Sequence, residues 1–332
     1  MGGTTQPTRN ILVVAHARRD DTVAAARRVI AAVLASGARP VLAIDDPELV
    51  AALADLGPIA GLGADVDVAD IEIAIVLGGD GTILRAAELV RGGTAPILGI
   101  NMGHVGFLAE IEADVIDDAM RRVIDRDYEV EERMTLAVRV KDAAGEVIYD
   151  TWALNEATVE KAARERMMEV VIEIDRRPLS TFGCDGVVIA TPTGSTAYNF
   201  SAGGPVIWPT VEAIAVVPLS AHALFARPLV VGPEATVAIE VLARTDGTGI
   251  LWCDGRRSHD LPPGARVVVG RDPEPVRLAR LHPAPFTDRL VRKFQLPVAG
   301  WRGPDTHGLG EGVRDHGGRR RLAGRALCHP LV

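Results

Sequence analysis

Cysteine and aromatic residues are scarce in this sequence. Phe, Trp and Tyr make up 4% of the 332 residues, and the three cysteines (Cys184, Cys253 and Cys328) lie far apart with no C-x-x-C pair. An odd number of separated cysteines provides neither a disulfide framework nor the ligand spacing of a zinc site. The cysteine usage therefore indicates a reducing compartment.

Long apolar segments and a positive net charge are also missing. No apolar run reaches the roughly 18 residues that a membrane-spanning helix needs, and the N-terminus lacks the apolar core of a signal peptide. The formal net charge of −8 argues against general binding of nucleic acid or anionic membranes. We therefore expect a cytoplasmic protein that binds neither nucleic acid nor membrane.

The first part of the chain alternates between strand and helix patterns. Short apolar runs predict strands, and helical spacing of Ala, Val, Ile and Leu predicts helices between them. Asp46-Pro47 is typical of a helix start, with an N-cap followed by Pro at the first helical position. This alternation predicts an α/β domain with a parallel sheet covered on both faces. The strands are predicted at 10–16, 40–44, 71–77 and 96–100.

From Met134 onward the pattern changes to short strands separated by turns. Such spacing predicts an all-β second domain, a sandwich or a barrel-like fold. We place the domain boundary near Glu132, which gives an α/β domain at 1–132 and a β domain at 133–282. The Gly-rich, basic segment 303–332 is predicted to be a disordered tail.

The stretch at 71–82, I-E-I-A-I-V-L-G-G-D-G-T, joins a buried strand to a helix through a glycine-rich turn. Glycines let a backbone approach phosphates closely, and Thr82 is a natural N-cap for the helix predicted from Ile83. Asp80 could accept a proton from an attacking hydroxyl or hold Mg²⁺ on phosphates. The alternative is a tight turn capped by an Asp, without ligand. Arg85 could reach a phosphate or pair with Glu88 on the surface.

Two further stretches carry polar groups suited to a nucleotide. Residues 182–205 place a hydroxyl-rich loop, T-P-T-G-S-T, after a buried strand, and Tyr198 follows where it could stack on a base. Asn155-Glu156 combines an amide with a carboxylate at the end of a predicted strand, which could read a ribose diol. No Walker A motif occurs, and Ser195 does not lie in a G-x-S-x-G elbow.

Taken together, these stretches resemble the NAD kinase family, and the C-terminal segment resembles its actinobacterial branch. The motifs are G-G-D-G-T at 78–82, N-x-G-x-x-G-F-L at 101–108, N-E at 155–156, and D-G-V-V-I-A-T-P-T-G-S-T-A-Y at 185–198. The resemblance implies an α/β domain of the phosphofructokinase and diacylglycerol-kinase type plus an all-β sandwich domain. It also implies that residues 283–302 return to the first domain.

The resemblance implies transfer of the terminal phosphoryl group of ATP to the 2′-hydroxyl of the adenosine ribose of NAD. Asp80 would be the proton acceptor, Mg²⁺ would bind through the phosphates, and a homo-dimer or homo-tetramer would complete the NAD site. The nucleotide-binding residues implied are Gly78, Gly79, Asp80, Gly81, Arg85, Asn155, Glu156, Arg166, Asp185, Thr193, Thr196, Ala197, Tyr198, Asn199, Phe200 and Ser201.

Three alternatives remain open from the sequence. Gly183 resembles the small residue of relatives that use inorganic polyphosphate as well as ATP. Lipid and sugar kinases share the G-G-D-G turn, although they lack the other motifs in this arrangement. A non-catalytic NAD(P)-binding sensor on the same scaffold is the alternative from another class, and the presence of Asp80 argues against it.

Overall fold

The structure is a computed structural model. It describes residues 8–17, 19–44, 46–103, 106–109, 111–112, 115–163, 167–224, 226–244, 248–282 and 285–298. Two predictions lie outside these residues, namely the nucleotide-binding role of Arg166 and the disordered tail at 303–332. Among the described helices, none has both the length and the apolar character to cross a membrane.

The secondary structure follows the predicted change from α/β to all-β. The helices are α1 (Asp20–Ala35), α2 (Pro47–Leu53), α3 (Asp80–Leu89), α4 (Ile116–Ile124), α5 (Tyr198–Ser201) and α6 (Phe286–Phe294). The strands are β1 (Asn10–Val14), β2 (Arg39–Ala43), β3 (Ala60–Leu62), β4 (Ile71–Leu77), β5 (Ile97–Asn101), β6 (Ile111–Glu112), β7 (Glu129–Arg133), β8 (Leu136–Lys141), β9 (Val147–Ala153), β10 (Glu156–Lys161), β11 (Met168–Ile174), β12 (Arg177–Cys184), β13 (Gly186–Ala190), β14 (Ile214–Leu219), β15 (Leu229–Val231), β16 (Val237–Val241), β17 (Gly249–Cys253), β18 (Arg257–Leu261), β19 (Arg266–Arg271) and β20 (Val276–Arg280).

The α/β part is built on an eight-stranded sheet in the order β3-β2-β1-β4-β5-β20-β7, with β6 also paired to β5. The pairs from β3 to β20 are parallel. Alternate side chains of β4 enter two different cores because the sheet is buried on both faces. Ile75 packs on the side of α1 and α4, and Val76 packs on the side of α3. The predicted parallel sheet with helices on both faces is confirmed.

Strand β20 belongs to the first sheet, although the boundaries predicted from the sequence assign its residues to the second domain. It lies between β5 and β7 in the first sheet and is antiparallel to β7. Ion pairs join the two strands, from Arg277 to Glu132 at 3.1 Å and from Arg280 to Glu131 at 2.8 Å. A five-residue strand pattern does not specify its partner, and here the acidic strand β7 matches the basic β20. The exact domain limits therefore remain a proposal.

The β part is a sandwich of two antiparallel six-stranded sheets. One has the order β15-β14-β13-β10-β17-β18, and the other has the order β12-β11-β16-β19-β8-β9. Inward-facing residues of both sheets form one core, to which β10 contributes Val159, β13 Ile189 and β16 Ile239. Alternation of these buried residues with more exposed ones along β8 and β11 is the pattern that a sandwich requires.

Candidate functional site

The site lies at the point where the first sheet reverses its strand order. The chain leaves β1 for β2 on one side of the sheet, whereas β4 lies on the other side of β1. Open α/β sheets bind ligands at the carboxyl ends of the strands at such a point. A cleft of about 730 Å³ opens here, lined by His16, Ala17, Arg19, Asp46, Pro47, Glu48, Arg85 and Arg256. Its lining combines three guanidinium groups with the carboxylates of Asp46 and Glu48.

The glycine-rich turn after β4 starts its helix earlier than we expected. Helix α3 begins at Asp80, with Gly79 as the N-cap residue, so the prediction of Thr82 as the N-cap is wrong. Thr82 is buried in the first helical turn, and its side chain packs against Gly78. This packing excludes any side chain at Gly78, because an added Cβ would lie 2.9 Å from the Thr82 Cβ.

The other two glycines of the turn face open space. A Cβ built on Gly79 or on Gly81 meets no described atom within 4 Å. Neither residue has a positive φ, so the fold of the described chain does not itself require glycine there. The free space beside this backbone, at the N-terminus of a ten-residue helix, is what close approach of a phosphate needs.

The Asp80 side chain is held by the loop that follows β5. Its two carboxylate oxygens accept hydrogen bonds from the backbone N–H groups of Phe107 and Leu108, both at 3.0 Å. Gly106 lies against the same carboxylate, where an added Cβ would come within 2.9 Å of the Asp80 Cγ. The loop motif N-x-G-x-x-G-F-L therefore fixes the orientation of this carboxylate, a relation that the sequence alone did not reveal.

Arg85 lies one turn into α3 and lines the cleft. Its guanidinium lies 3.6 Å from the carboxylate of Asp46, the residue that caps α2 by accepting a hydrogen bond from Leu49 N–H. Glu88 forms ion pairs with Arg256 and Arg257. Arg85 lies at the cleft wall beside Asp46.

Asn155 and Glu156 lie where the chain crosses between the two sheets of the sandwich. β9 belongs to one sheet and β10 to the other, and the pair joins them. Asp254 holds this crossing in place. Its oxygens accept hydrogen bonds from Leu154 N–H at 3.0 Å and Asn155 N–H at 2.7 Å, and its own N–H donates to the Glu156 carbonyl at 3.0 Å.

Glu156 is a buried carboxyl with an unused oxygen. The residue is 7% exposed, and its Oε2 has no hydrogen-bond partner among the described residues. Burial, with the nearby charge of Asp254 adding to it, raises the pKa of Glu156 to about 8. The group lines a second cavity, of about 370 Å³, with Thr158, Glu160, Tyr198, Trp252 and Gly255. A polar atom without a partner at a cavity wall marks a site for a polar ligand.

The hydroxyl-rich loop is folded mainly by its own hydroxyls. Thr191 Oγ1 donates to the Leu154 carbonyl at 2.6 Å, and Ser195 Oγ donates to the Pro192 carbonyl at 2.7 Å. Both residues are fully buried, so these two hydroxyls are structural, whereas we expected the loop hydroxyls to face a ligand. Gly194 packs directly on the Asn155 backbone, with space for no side chain. The loop thereby braces the Asn-Glu pair.

The remaining predicted site residues fall into two groups. Thr193 and Asn199 are buried, and the Asn199 amide donates to the carbonyls of Ser195 at 3.1 Å and Pro205 at 3.0 Å. Those with accessible surface are Thr196, Ala197, Tyr198, Phe200, Ser201 and Asp185. Asp185 pairs with Lys161 at 2.5 Å, and that hydrogen bond lowers the pKa of Asp185.

A row of contacting aromatic rings, which the sequence did not predict, connects the loop that holds Asp80 with the hydroxyl-rich loop. Phe107, from the loop that holds Asp80, lies 5.7 Å from Phe294 between ring centroids, and Phe294 stacks on Phe200 at 4.4 Å. Phe286 contacts Phe107 and Trp208, at 6.0 and 5.1 Å. Helix α6 thus lies between the Asp80 loop and the hydroxyl-rich loop.

Comparison with known proteins agrees with this arrangement. The model for the ATP-NAD kinase N-terminal domain matches residues 62–128, and the model for the C-terminal domain matches residues 154–281. An NAD kinase of Leifsonia xyli is 65% identical over 298 residues, covering 90% of this chain and 98% of the relative. An NAD kinase of Thermobifida fusca is 56% identical over 302 residues, covering 89% and 92%.

Two solved structures share the fold. Yeast NADH kinase, in a complex with NADH, matches with a TM-score of 0.78 at 21% identity, over 92% of this chain and 91% of that chain. An NAD kinase from Archaeoglobus fulgidus, in a complex with ATP, matches with a TM-score of 0.65 at 23% identity, over 87% and 100%. With both family models matched and relatives this similar over nine-tenths of its length, the chain belongs to the NAD kinase family.

Proposed function

We propose that the protein transfers the terminal phosphoryl group of ATP to the 2′-hydroxyl of the adenosine ribose of NAD, giving NADP and ADP. Family membership supports this reaction. The structural observation that carries it is the turn after β4. That turn joins a carboxylate to phosphate-accessible glycine backbone at the switch point of the sheet.

The donor phosphates bind, in this proposal, at the turn and in the cleft beside it. The backbone of Gly79 and Gly81 has free space on its Cα side, so oxygen atoms can approach its N–H groups. Arg85 supplies a positive charge one turn along the same helix, at the cleft wall. Gly78 contributes by packing, since its missing side chain lets Thr82 close the turn.

Asp80 accepts the proton of the attacking hydroxyl. The 2′-hydroxyl oxygen forms a bond to the terminal phosphorus, the bond from that phosphorus to the bridging oxygen of ADP breaks, and the proton passes to a carboxylate oxygen of Asp80. Each oxygen already accepts one backbone hydrogen bond and has a second acceptor position left. Such transfer is governed mainly by alignment and charge neutralisation, which a carboxylate fixed by its neighbours favours.

The acceptor NAD binds near the Asn-Glu pair. With a pKa of about 8, Glu156 holds a proton at neutral pH, so it can donate one hydrogen bond and accept another. A carboxyl that both donates and accepts suits a ribose diol, because each hydroxyl of the diol can also donate and accept a hydrogen bond. Tyr198 lines the same cavity, and its backbone N–H bonds to the Glu156 carboxyl. The accessible residues Asp185, Thr196, Ala197, Phe200 and Ser201 extend this surface, whereas Thr193 and Asn199 support it from within.

Magnesium enters, in our proposal, bound to the phosphates of ATP. No group of three or more His, Cys, Asp or Glu side chains converges in the part of the chain that the structure describes, so these residues form no cage for the ion. Bound through phosphate oxygens, Mg²⁺ supplies neutralisation of their charge. We also propose a cytoplasmic homo-dimer or homo-tetramer, and polyphosphate as a second donor.

The test is the variant Asp80→Asn, with Asp70→Asn as its control at the opposite end of β4. Removal of a general base costs about 10²-fold to 10⁴-fold in rate, so turnover should fall by that range. Affinity for NAD, measured by calorimetry, should stay near the wild-type value. Asp70 is exposed, and its variant should keep full turnover. An Asp80→Asn enzyme of near-normal rate would remove Asp80 from the role of base.

A further inference from the structure

Three charged side chains in contact, Glu88, Arg257 and Asp254, connect helix α3 to the Asn155-Glu156 pair. Glu88, near the end of α3, lies 3.1 Å from Arg257 Nε on β18, an ion pair without hydrogen-bond alignment. Arg257 Nη2 donates to Asp254 Oδ2 at 2.7 Å. Asp254 in turn forms hydrogen bonds with backbone groups of three successive residues, Leu154, Asn155 and Glu156, at the crossing between β9 and β10. These contacts therefore connect helix α3, whose first residue is Asp80, to the backbone of Asn155 and Glu156.

The three charged side chains are largely shielded from water. The Asp254 side chain is 2% exposed, and the side chains of Arg257 and Glu88 are 20% and 25% exposed. Burial raises the pKa of Asp254, while the Leu154 and Asn155 N–H groups and Arg257 oppose that shift. A buried carboxylate keeps its charge only when hydrogen bonds and a cation compensate for lost hydration. Asp254 thus depends on Arg257 as well as on the backbone it holds.

The backbone at Asp254 is fitted to this role. Asp254 and Gly255 have φ values of 55° and 63° and are the central residues of a turn closed by the hydrogen bond from Arg256 N–H to the Cys253 carbonyl. The left-handed conformation is uncommon for a residue other than glycine. Here it directs the Asp254 carboxylate away from solvent and under the neighbouring crossing. Closing the hairpin does not require the Asp254 oxygens to accept hydrogen bonds from Leu154 and Asn155. These bonds therefore give the Asp254 side chain a second role.

We propose that Glu88, Arg257 and Asp254 are positioning residues, forming a relay that fixes the Asn155-Glu156 pair relative to Asp80. This inference rests on the proposed function of that pair in binding NAD. Helix α3 is a short rigid element, so Glu88 transmits the placement of the phosphate turn to β18. Asp254 then sets the backbone of the acceptor pair. Displacement of a reacting group by about 1 Å can lower turnover by a factor of about 10².

Arg91 provides a matched control in the same region. Its guanidinium lies 4.3 Å from the Trp152 ring centroid, and that of Arg257 lies 4.6 Å from it. The Arg91 side chain is 18% exposed, close to the value for Arg257. Its carboxylate partners are Asp272 and Glu274. Arg91→Gln therefore removes a similar buried cation and a similar aromatic contact while leaving Asp254 and Arg257 in place.

The experiment is steady-state kinetics on Glu88→Gln, Arg257→Gln, Asp254→Asn and Arg91→Gln, with thermal unfolding of each. An Asn at 254 has one acceptor oxygen for two buried N–H groups, so KM for NAD should rise about tenfold to a hundredfold. Glu88→Gln leaves those bonds intact but weakens the ion pair to Arg257, so kcat should fall about tenfold with KM for NAD nearly unchanged. Because Glu88 also accepts from Arg256 at the cleft wall, KM for ATP is measured in the same variant and should stay near the wild-type value. Arg257→Gln should show both effects, and Arg257→Lys should recover part of each.

A double variant separates a relay from independent contacts. If the relay is continuous, adding Glu88→Gln to Arg257→Gln lowers kcat no further, because the link is already broken. Arg91→Gln should reduce thermal stability but hold kcat and KM for NAD within about twofold of the wild-type values, since an ordinary packing loss does not act on one substrate.

The outcomes distinguish failure of the relay from failure of the site. Equal kinetic losses in Arg91→Gln and Arg257→Gln, in proportion to lost stability, would overturn the relay. So would a wild-type KM for NAD in a folded Asp254→Asn protein. Should Asp254→Asn fail to fold, Glu88→Gln decides alone, and unchanged kcat there would overturn the proposal. Asn155→Ala tests the underlying assignment, because an unchanged KM for NAD in that variant would remove the pair from the acceptor site.

Discussion

Replacement of Glu156 by Gln should make the protein less sensitive to alkaline pH. Glu156 is the buried carboxyl at the wall of the smaller cavity, and burial together with the Asp254 charge raises its pKa to about 8 from the ordinary value of 4.5. Gln keeps the size and polarity of the protonated form but cannot ionise. The variant therefore isolates the cost of placing a charge at this position.

The sign and size of the effect follow from proton linkage. Between pH 4.5 and about pH 8 the folded state retains a proton that the unfolded state has lost, so stability declines as pH rises through this window. Below the window both states are protonated, and above it both are ionised and the loss is complete. One pKa unit corresponds to about 1.4 kcal/mol, so the full interval is worth about 5 kcal/mol at most. Since protonation of Asp254 would relieve part of the repulsion, we expect about 3 to 5 kcal/mol.

Urea unfolding followed by tryptophan fluorescence measures this difference. Between about pH 5 and about pH 9, the wild-type protein should lose about 3 to 5 kcal/mol more unfolding free energy than Glu156→Gln does. Glu160→Gln is the control, because Glu160 lies on the same strand and lines the same cavity but is more exposed. Parallel pH profiles for the wild type and Glu156→Gln would refute the buried, protonated carboxyl.

Three further variants replace glycines near Asp80. Gly79→Ala should fold with near wild-type stability, because an added Cβ meets no described atom within 4 Å, but it should raise KM for ATP by obstructing the phosphate. In Gly78→Ala the added Cβ would collide with Thr82, so urea unfolding should show an unfolding free energy lower by about 1 to 3 kcal/mol. An unchanged KM for ATP in Gly79→Ala would contradict the phosphate role of the turn. Gly106→Ala should displace the Asp80 carboxylate and reduce kcat by about tenfold or more with KM for ATP little changed, and full turnover in that variant would show that Asp80 needs no support from the loop.

Local features of the fold were predictable from the sequence. The cap at Asp46 with Pro47 behind it forms as expected, because the Asp46 side chain accepts from Leu49 N–H, a contact within one turn. Strand β4 also has the predicted bounds, Ile71–Leu77, since a run of apolar residues ended by two glycines needs no distant information. The change to short strands after Met134 predicted an all-β domain, a sandwich or a barrel-like fold, and the structure has the sandwich.

Features that depend on distant packing were not predictable. Thr82 is an ordinary N-cap residue by type, but the helix starts at Asp80, and Thr82 packs on Gly78 within the first turn. Strand β20 lies between β5 and β7 in the first sheet, with ion pairs to β7, and no local pattern records these partners. Only the folded chain shows that the Asp254 carboxylate accepts a hydrogen bond from the Asn155 N–H.

The sequence placed the site residues best where a motif and its expected chemistry fell on the same residues. Asp80 and its glycines lie at the carboxyl end of β4, as the turn pattern indicated. Asn155 and Glu156 are buried, and Glu156 shares a cavity with Tyr198. The hydroxyl-rich loop was misjudged for Thr191 and Ser195, because composition cannot tell a hydroxyl that binds a ligand from one that completes a loop. No sequence pattern indicates the aromatic contacts through α6, because each pair of contacting rings is far apart in sequence.

The most direct test of the central claim is a coupled assay for NADP. The purified protein is incubated with Mg-ATP and NAD, and the product is read by a dehydrogenase specific for NADP, with polyphosphate in a parallel reaction. We predict steady formation of NADP that requires a phosphoryl donor and that Asp80→Asn largely abolishes. Binding of NAD without NADP above background would contradict the account and identify the protein as a nucleotide-binding sensor on a kinase scaffold.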